Sequence, residues 1–493
     1  MSTIQNFDCE QFTKLLKSSY LGRKIIYKDV TDTTMDDAKL GGIQGVPPGT
    51  IYLTEIQNKA RGTKDHKWHA LNRGNLYFSI VIHTPSPATQ NSFVERFDLE
   101  VAGALSLVCT LQDIYGISGA CLKWPNDVWV KGHKLAGFLA EHGGRLPGSQ
   151  DELHLFVLGM GINVNSDMRR HPDLTGIATS VCCENGGTVV SREKVLADIC
   201  NKLEYYLDLS HENLYTEACK FQMFKKGQKV RVNHVIDGMM FPATVEGIQE
   251  DWNIKITDSN GKCTQCASSE YSVRPLPDRT IYVYSGREAV PWKARLILNS
   301  LKSVVDTSKF TVDALNDEKL MEGVWRKDAV LAVIGEINSK EDTQEHLTAI
   351  QEFTKSGGSV LLIKTTANQI FPNLNVSTHT IEERKNFCEV CYSEEKRFTA
   401  VAFGSEMTFN PNTKSEVIGF YDSQETGSPS AVLVNVDAGK CAILGFDIEV
   451  TYTDADIVPN ATVIEGIYDS LSKTVVTRDD YLNYVLAKLL SNL

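Results

Sequence analysis

Residues 123 to 137, Lys-Trp-Pro-Asn-Asp-Val-Trp-Val-Lys-Gly-His-Lys-Leu-Ala-Gly, constrain the fold of this chain more than any other stretch. Apolar residues flank it at 120–124 and 135–139, and two clusters of turn formers, Pro125-Asn126-Asp127 and Lys131-Gly132-His133, interrupt it. The pattern predicts strand, turn, strand, turn, strand. A double hairpin of this kind brings Lys123, Asp127 and Lys134 near one another. Two ammonium groups beside one carboxylate suit a reaction in which anionic substrates meet and a neutral amine then attacks. The plainer alternative is a surface hairpin with solvated charges.

Three further segments bear on that choice. In Asp32-Thr33-Thr34-Met35-Asp36, short hydroxyl side chains follow a β-rich run at 24–31 and suit hydrogen bonding to a small polar ring. As isolated residues they read more simply as an N-cap for a helix over 35–40. Residues 57–68 form a basic, Gly-containing stretch closed by Trp68. Its Arg and Lys side chains suit closure over a phosphate and its indole suits an adenine, although a solvated loop is the common reading of such a stretch. Residues 156–165 read as an apolar strand ending in Gly159-x-Gly161-x-Asn163, where glycine permits close approach to a ligand and Asn pairs with a heterocycle edge. A core strand with a bulge is the usual account of Gly-x-Gly.

Together these elements resemble the biotin protein ligases, also called holocarboxylase synthetases. The catalytic domain of that family carries a Lys-Trp-Pro-Asn-Asp run followed by Lys-x-x-Gly, here Lys123 to Asp127 and Lys134 to Gly137. The 57–68 segment is similar to its Gln-x-x-Gly-Arg/Lys-Gly-Arg-x-Gly-x-x-Trp loop, keeping Gln57, Arg61, Gly62 and Trp68 but departing at Ala60, Thr63 and Asp65. Thr63 removes the second cation expected near the phosphate, for which Lys59 and Lys64 are the available substitutes. Ala178-Thr179-Ser180 matches the family's Ala-Thr-Ser/Thr segment, and the resemblance covers roughly residues 7–275.

The resemblance implies an ATP-dependent ligase in which biotin attacks the α-phosphate of ATP, with magnesium, to give biotinyl-adenylate. A lysine on a biotin-acceptor domain of a carboxylase then displaces AMP. It places Lys134, Asp127, Arg61 and Lys123 in catalysis. Thr33, Thr34, Gln57, Arg61, Gly62, Lys134 and Gly137 would hold biotin. Arg61, Trp68, Lys123, Asn126, Lys134 and Asn163 would hold ATP and the adenylate. Within that scheme Lys134 meets the biotin carboxyl and Asp127 orients or helps deprotonate the incoming lysine. Two other readings stay open: a lipoate or octanoate transferase of the same fold, and a noncatalytic biotin sensor or scaffold.

The chain has 493 residues, which implies more than one domain. Residues 1–220 mix strands with helices at 93–115 and 193–209 that should pack as a layer on the sheet. Residues 221–276 alternate polar and apolar between Gly and Asp/Asn turns, which predicts a small antiparallel β barrel. Residues 277–493 alternate strands and helices, which predicts a parallel sheet; this half resembles the class I glutamine amidotransferase-like domain that accompanies eukaryotic holocarboxylase synthetases, placed here after the catalytic domain. Amidotransferase chemistry needs a Cys on a strand-to-helix elbow, and Lys364-Thr365-Thr366-Ala367 supplies none, so this half is expected to be noncatalytic.

A net charge of −12 argues against general nucleic-acid or anionic-membrane binding, and no apolar run reaches the length of a membrane span. With no secretion signal in residues 1–17, the cytoplasm is the expected location. Twelve cysteines in so long a chain suggest buried thiols. The pairs Cys263-x-x-Cys266 and Cys388-x-x-Cys391 have metal-like spacing but would have to meet across domains to complete four ligands.

Overall fold

The computed structural model describes residues 6–62, 68, 71, 73–84, 92–146, 153–168, 171, 174, 176–337, 344–364, 377–381, 387–393, 396–401, 406–410, 415–421, 428–436, 438–446 and 481–490. The chain divides into two compact units, Met1–Leu276 and Pro277–Leu493.

The first unit opens with α1 (Cys9–Leu15), β1 (Ile25–Thr31), α2 (Thr34–Ile43), β2 (Ile51–Gln57), β3 (Leu76–Thr84) and α3 (Ser92–Tyr115). The double hairpin follows as β4 (Ala120–Lys123), β5 (Asp127–Val130) and β6 (His133–Arg145), then β7 (His154–Ile162), α4 (Val181–Glu184), α5 (Arg192–Leu207) and α6 (His211–Phe221). The seven strands lie in the order β1-β2-β3-β7-β6-β5-β4. Only β1 and β2 run parallel; the other pairs are antiparallel, so the sheet is mixed.

Local chemistry explains the hairpins. Val130 and His133 are joined by two residues, Lys131 and Gly132, at φ 49° and 81°. Positive φ at both central positions is the geometry that matches strand twist across a tight turn. Ladder partners share a face, so Lys123, Asp127, Gly137, Gly161, Leu139, Gly159 and Ser79 all present to one side of the sheet. The other side is the oily one: Phe78, Ile80, Phe138, Ala140, Leu158 and Met160 pack with the apolar stripes of α3 and α5 in one continuous core. Cys109 and Cys200 are buried in that helix layer.

The sequence continues as β8 (Lys229–His234), β9 (Met240–Ile248), β10 (Ile254–Asp258), β11 (Cys263–Cys266) and β12 (Tyr271–Pro275). They form an antiparallel sheet ordered β11-β10-β9-β8-β12. The expected barrel is thus found as a five-strand ladder with β11 and β12 as edges, without pairing that closes it. Its apolar side, including Val230, Val245 and Ile254, joins the core of the seven-stranded sheet. Trp124 Nε1 donates to Trp252 O at 2.6 Å and Trp252 Nε1 to Asp98 Oδ1 at 2.7 Å, tying this sheet to the first hairpin turn and to α3. Cys263 is exposed and Cys266 buried, on opposite faces of β11.

The second unit contains β13 (Thr280–Tyr284), α7 (Pro291–Val304), β14 (Thr311–Leu315), α8 (Asp317–Glu322), β15 (Ala329–Ile334), α9 (Gln344–Lys355) and β16 (Ser359–Ile363). Seven strands follow: β17 (Ser377–Ile381), β18 (Phe387–Ser393), β19 (Lys396–Val401), β20 (Glu406–Asn410), β21 (Ser415–Tyr421), β22 (Pro429–Val436) and β23 (Gly439–Leu444). A nine-stranded sheet runs β14-β13-β15-β16-β23-β22-β21-β18-β19, and β17 pairs with β20. The expected parallel sheet holds from β14 to β23. It fails beyond β23, where β22, β21, β18 and β19 are antiparallel. The reason is connection length: two residues separate β22 from β23, enough for a hairpin and far too few for a crossover.

Cys388 and Cys391 lie on β18. Cys441, on β23, is fully buried, and burial pushes its thiol up. Lys364 stands just past β16 with a left-handed φ of 50°, while Thr365, Thr366 and Ala367 lie outside the described residues. Among the described residues no helix is long and apolar enough to cross a membrane.

Candidate active site

A cavity of about 530 Å3, counting the space open to solvent, lies on the face of the seven-stranded sheet away from α3. That is within the range of small-molecule pockets. Ten of the residues singled out in the sequence line it: Thr33, Thr34, Gln57, Arg61, Gly62, Trp68, Asn126, Asp127, Lys134 and Gly137. They fall into three groups with different physical origins.

The first is the ion pair. Lys134 Nζ stands 2.7 Å from Asp127 Oδ1, with Asp127 the more buried partner. A bulge in the β5–β6 ladder makes this pairing possible: Val128 faces Ala136, but Trp129 faces Lys134 where a regular ladder would give Leu135. The extra residue turns the face of everything before it, so Leu135 and Ala136 both enter the core and Lys134 points at the cavity. Lys123 is the register partner of Asp127, but its ammonium lies 5.5 Å from the Trp129 ring centre and it does not line the cavity.

The second group is a hydroxyl-amide set at the start of α2. Thr34 N and Oγ1 both donate to Gln57 Oε1, at 2.9 and 3.3 Å, and Thr34 Oγ1 is 2.8 Å from Ser79 Oγ. Thr33 Oγ1 accepts from Met35 N at 3.3 Å, so the capping reading of this segment is realised by Thr33 while Thr34 joins the cavity network.

The third group is the 57–68 segment. Arg61 Nη2 is 2.8 Å from Asp36 Oδ1 and 3.3 Å from Glu141 Oε1. Lys59 pairs with Asp32 at 2.7 Å. Thr63, Lys64 and Asp65 lie outside the described residues. Trp68 lies across the sheet: a Cβ on Gly161 would come within 2.7 Å of Trp68 Cε2, and one on Gly137 within 3.0 Å of Cζ3. A Cβ on Gly159 would meet Met35 Sδ at 2.3 Å. The close approaches that these glycines permit are therefore made by Trp68 and Met35. Lys134 Nζ stands 5.3 Å from the Trp68 ring centre, and Trp68 Nε1 is buried without a hydrogen-bond partner.

Asn163, expected at the adenine, does not line this cavity. It is buried, and its Nδ2 donates to Thr179 O at 3.1 Å. Its main chain accepts from Val181 N and donates to Leu135 O, so it ties the end of β7 to residues 178–181. Sequence reasoning missed Ser79. A lone hydroxyl inside the apolar run Leu-Tyr-Phe-Ser-Ile-Val-Ile of β3 is the signal that marks Ser79. Among the described residues no cluster of three or more His, Cys, Asp or Glu is placed to hold a metal ion.

Residues 27–163 match the model of the Biotin/lipoate A/B protein ligase family. The chain is 28% identical over 199 residues to the bifunctional ligase/repressor BirA of Bacillus subtilis, covering 40% of this chain and 58% of that protein. It is 31% identical over 137 residues to the biotin–[acetyl-CoA-carboxylase] ligase of Paracoccus denitrificans, covering 27% of this chain and 52% of that one. The solved biotin protein ligase of Aquifex aeolicus, in complex with biotin and ATP, is similar at 24% identity and a TM-score of 0.42, covering 52% of this chain and all of that one. The chain spans less than two thirds of the length of the curated relatives it matches.

Proposed function

We propose that this protein is a biotin protein ligase that activates biotin with ATP and transfers it to a lysine of biotin-dependent carboxylases. The observation that carries the reading is the Lys134–Asp127 pair, 2.7 Å apart, in one cavity with the Thr34–Gln57–Ser79 network, Arg61 and Trp68. A carboxylate is a poor acyl electrophile, so biotin must first become a mixed anhydride. Lys134 draws the biotin carboxylate in and neutralises charge as that carboxylate attacks the α-phosphate and pyrophosphate leaves. Magnesium arrives with ATP, on the phosphate oxygens, as part of the substrate. Arg61 exchanges Asp36 and Glu141 for phosphate when ATP binds.

Once the adenylate has formed, Asp127 lies beside the activated carbonyl and orients the acceptor amine, taking its proton as AMP leaves. Thr34, Gln57 and Ser79 offer donors and acceptors at a spacing suited to a cyclic urea. Trp68 Nε1 has a hydrogen bond to give and its ring a face to stack. Lys123 and Asn126 support this reading from beside and beneath Asp127, and Asn163 by fixing the strand end. The small sheet β8–β12 would brace the Trp124 turn through the Trp124–Trp252 hydrogen bond. The second unit would act as a noncatalytic, amidotransferase-like accessory in recognition or regulation, and the location would be the cytoplasm.

The test is incubation of the protein with ATP, magnesium, biotin and an acceptor domain, followed by mass measurement of the acceptor. Gain of one biotinyl group is expected. The family description also spans lipoate, so lipoate and octanoate are run in parallel, and modification by either in place of biotin would replace this reading with the second one.

A further inference from the structure

The helix layer behind the site holds a carboxyl that the proposed reaction does not use. Glu100, on the apolar stripe of α3, is 1% exposed. Its Oε1 accepts the backbone N–H of Ala140 on β6 at 2.9 Å, and its Oε2 is buried. Asn126 grips the same strand two residues away: its Nδ2 donates to Phe138 O, and its own carbonyl accepts from Phe138 N at 3.0 Å. Asp127, which holds Lys134, is the next residue. The charged groups acting on Glu100 are Asp127, from the turn, and Arg96, one turn earlier on α3.

A carboxyl sealed from water and facing a second carboxylate favours its neutral form. Burial pushes Glu100 up to about 8, Asp127 acts in the same direction, and the Ala140 N–H, Arg96 and Asn126 oppose. At neutral pH it therefore stands as an acid with no charge behind Asp127.

We propose that Glu100 is a positioning residue that fixes the Asn126–Asp127 turn in its neutral form, and that its ionisation disables the site at alkaline pH. The inference rests on the ligase reading of that site. Ionised, Glu100 sets a second negative charge behind Asp127 and leaves an anion in the core. The sign for stability follows from the raised value. Between the ordinary 4.5 and about 8, the folded protein keeps a proton that the unfolded chain has lost, so stability falls as pH rises through that window and levels off above it.

The variant Glu100→Gln keeps an acceptor for Ala140 N and never ionises. Biotin-dependent exchange of pyrophosphate into ATP and the melting temperature are measured on the full-length protein from pH 5 to 10, for parent and variant. The variant is expected to match the parent rate near pH 7. Above about pH 8 the parent should lose up to about tenfold per pH unit while the variant does not, as for loss of one essential proton. The variant's Tm should also fall less between pH 5 and 8. Should the Gln variant fail to fold, Glu100→Met removes the charge with similar volume and must show the same flattened thermal profile. Coincident alkaline limbs, or parallel Tm curves, overturn the proposal. A parent that exchanges no pyrophosphate at any pH overturns the ligase reading instead, and the Tm curves then decide whether Glu100 titrates as stated.

Discussion

In the first unit the polar groups at the strand ends turn toward a cavity, whereas in the second unit those beyond β13 and β14 turn toward one another. The sheet of the second unit changes direction at β13, with β14 on one side and β15 on the other. In open α/β sheets that is where ligands bind. There Tyr284 Oη donates to Asp317 Oδ1 at 2.9 Å, the Arg287 N–H donates to Asp317 Oδ2 at 3.0 Å, and His346 Nδ1 lies 3.7 Å from Asp317 Oδ1. A Cβ on Gly286 would fall 2.0 Å from Asp317 Oδ1, so the cluster occupies the position directly above that glycine. In the first unit, Gly137 and Gly161 clear the sheet surface for an indole, and the bulge in β6 sends Lys134 out over it. The contrast teaches that titratable residues at a strand end do not make a site. A site needs hydrogen-bonding capacity and charge left pointing at open space.

That contrast can be broken or sharpened by substitution. The largest effect is expected from Lys134→Ala, which should slow adenylate formation by about two to three orders of magnitude while leaving the fold intact, as for removal of one preorganised charge at a developing anion. Pyrophosphate release with circular dichroism on the same sample checks it. Asp127→Asn should slow transfer to the acceptor lysine by about a hundredfold and adenylate formation by less, because only the second step needs an oriented neutral amine. Single-turnover assays separate the two, and equal losses would make Asp127 a structural turn residue. Gly161→Ala should displace the Trp68 indole and raise KM by about tenfold, the usual scale of an overpacked contact. An unchanged KM would mean that the indole has no part in binding. The smallest effect belongs to the second unit: Tyr284→Phe should cost about 1 kcal/mol of its stability, the net worth of one hydrogen bond, with no loss of ligase activity.

Much of the first unit was legible because its signals are local. Turn formers at 125–127 and 131–133 set the hairpins, and helical spacing over 93–115 set α3. The bulge at Val128–Trp129 was not legible, since a one-residue slip in a ladder leaves no mark in composition, yet it decides which of Lys134 and Leu135 faces the cavity. Lys123 illustrates the same limit: register puts it opposite Asp127, but a long side chain chooses its own partner, here the Trp129 ring. Glu100 was readable in principle as a charge on an apolar stripe, between Phe97 and Ala104. Nothing local says that the strand it meets carries the site. In the second unit the strand-helix alternation was read for β13, α7, β15, α9 and β16, but β14 and α8 were missed, and the strands from β17 to β21 were not anticipated; β18 and β21 pair with each other and β21 with β22.

The most direct test of this division of labour is biotin-dependent exchange of pyrophosphate into ATP by residues 1–276 alone, a cut at the boundary between the two compact units. Exchange at close to the full-length rate is predicted, because every group assigned to activation lies in the first unit. A soluble, folded fragment that cannot exchange would contradict the account and place part of the chemistry in residues 277–493.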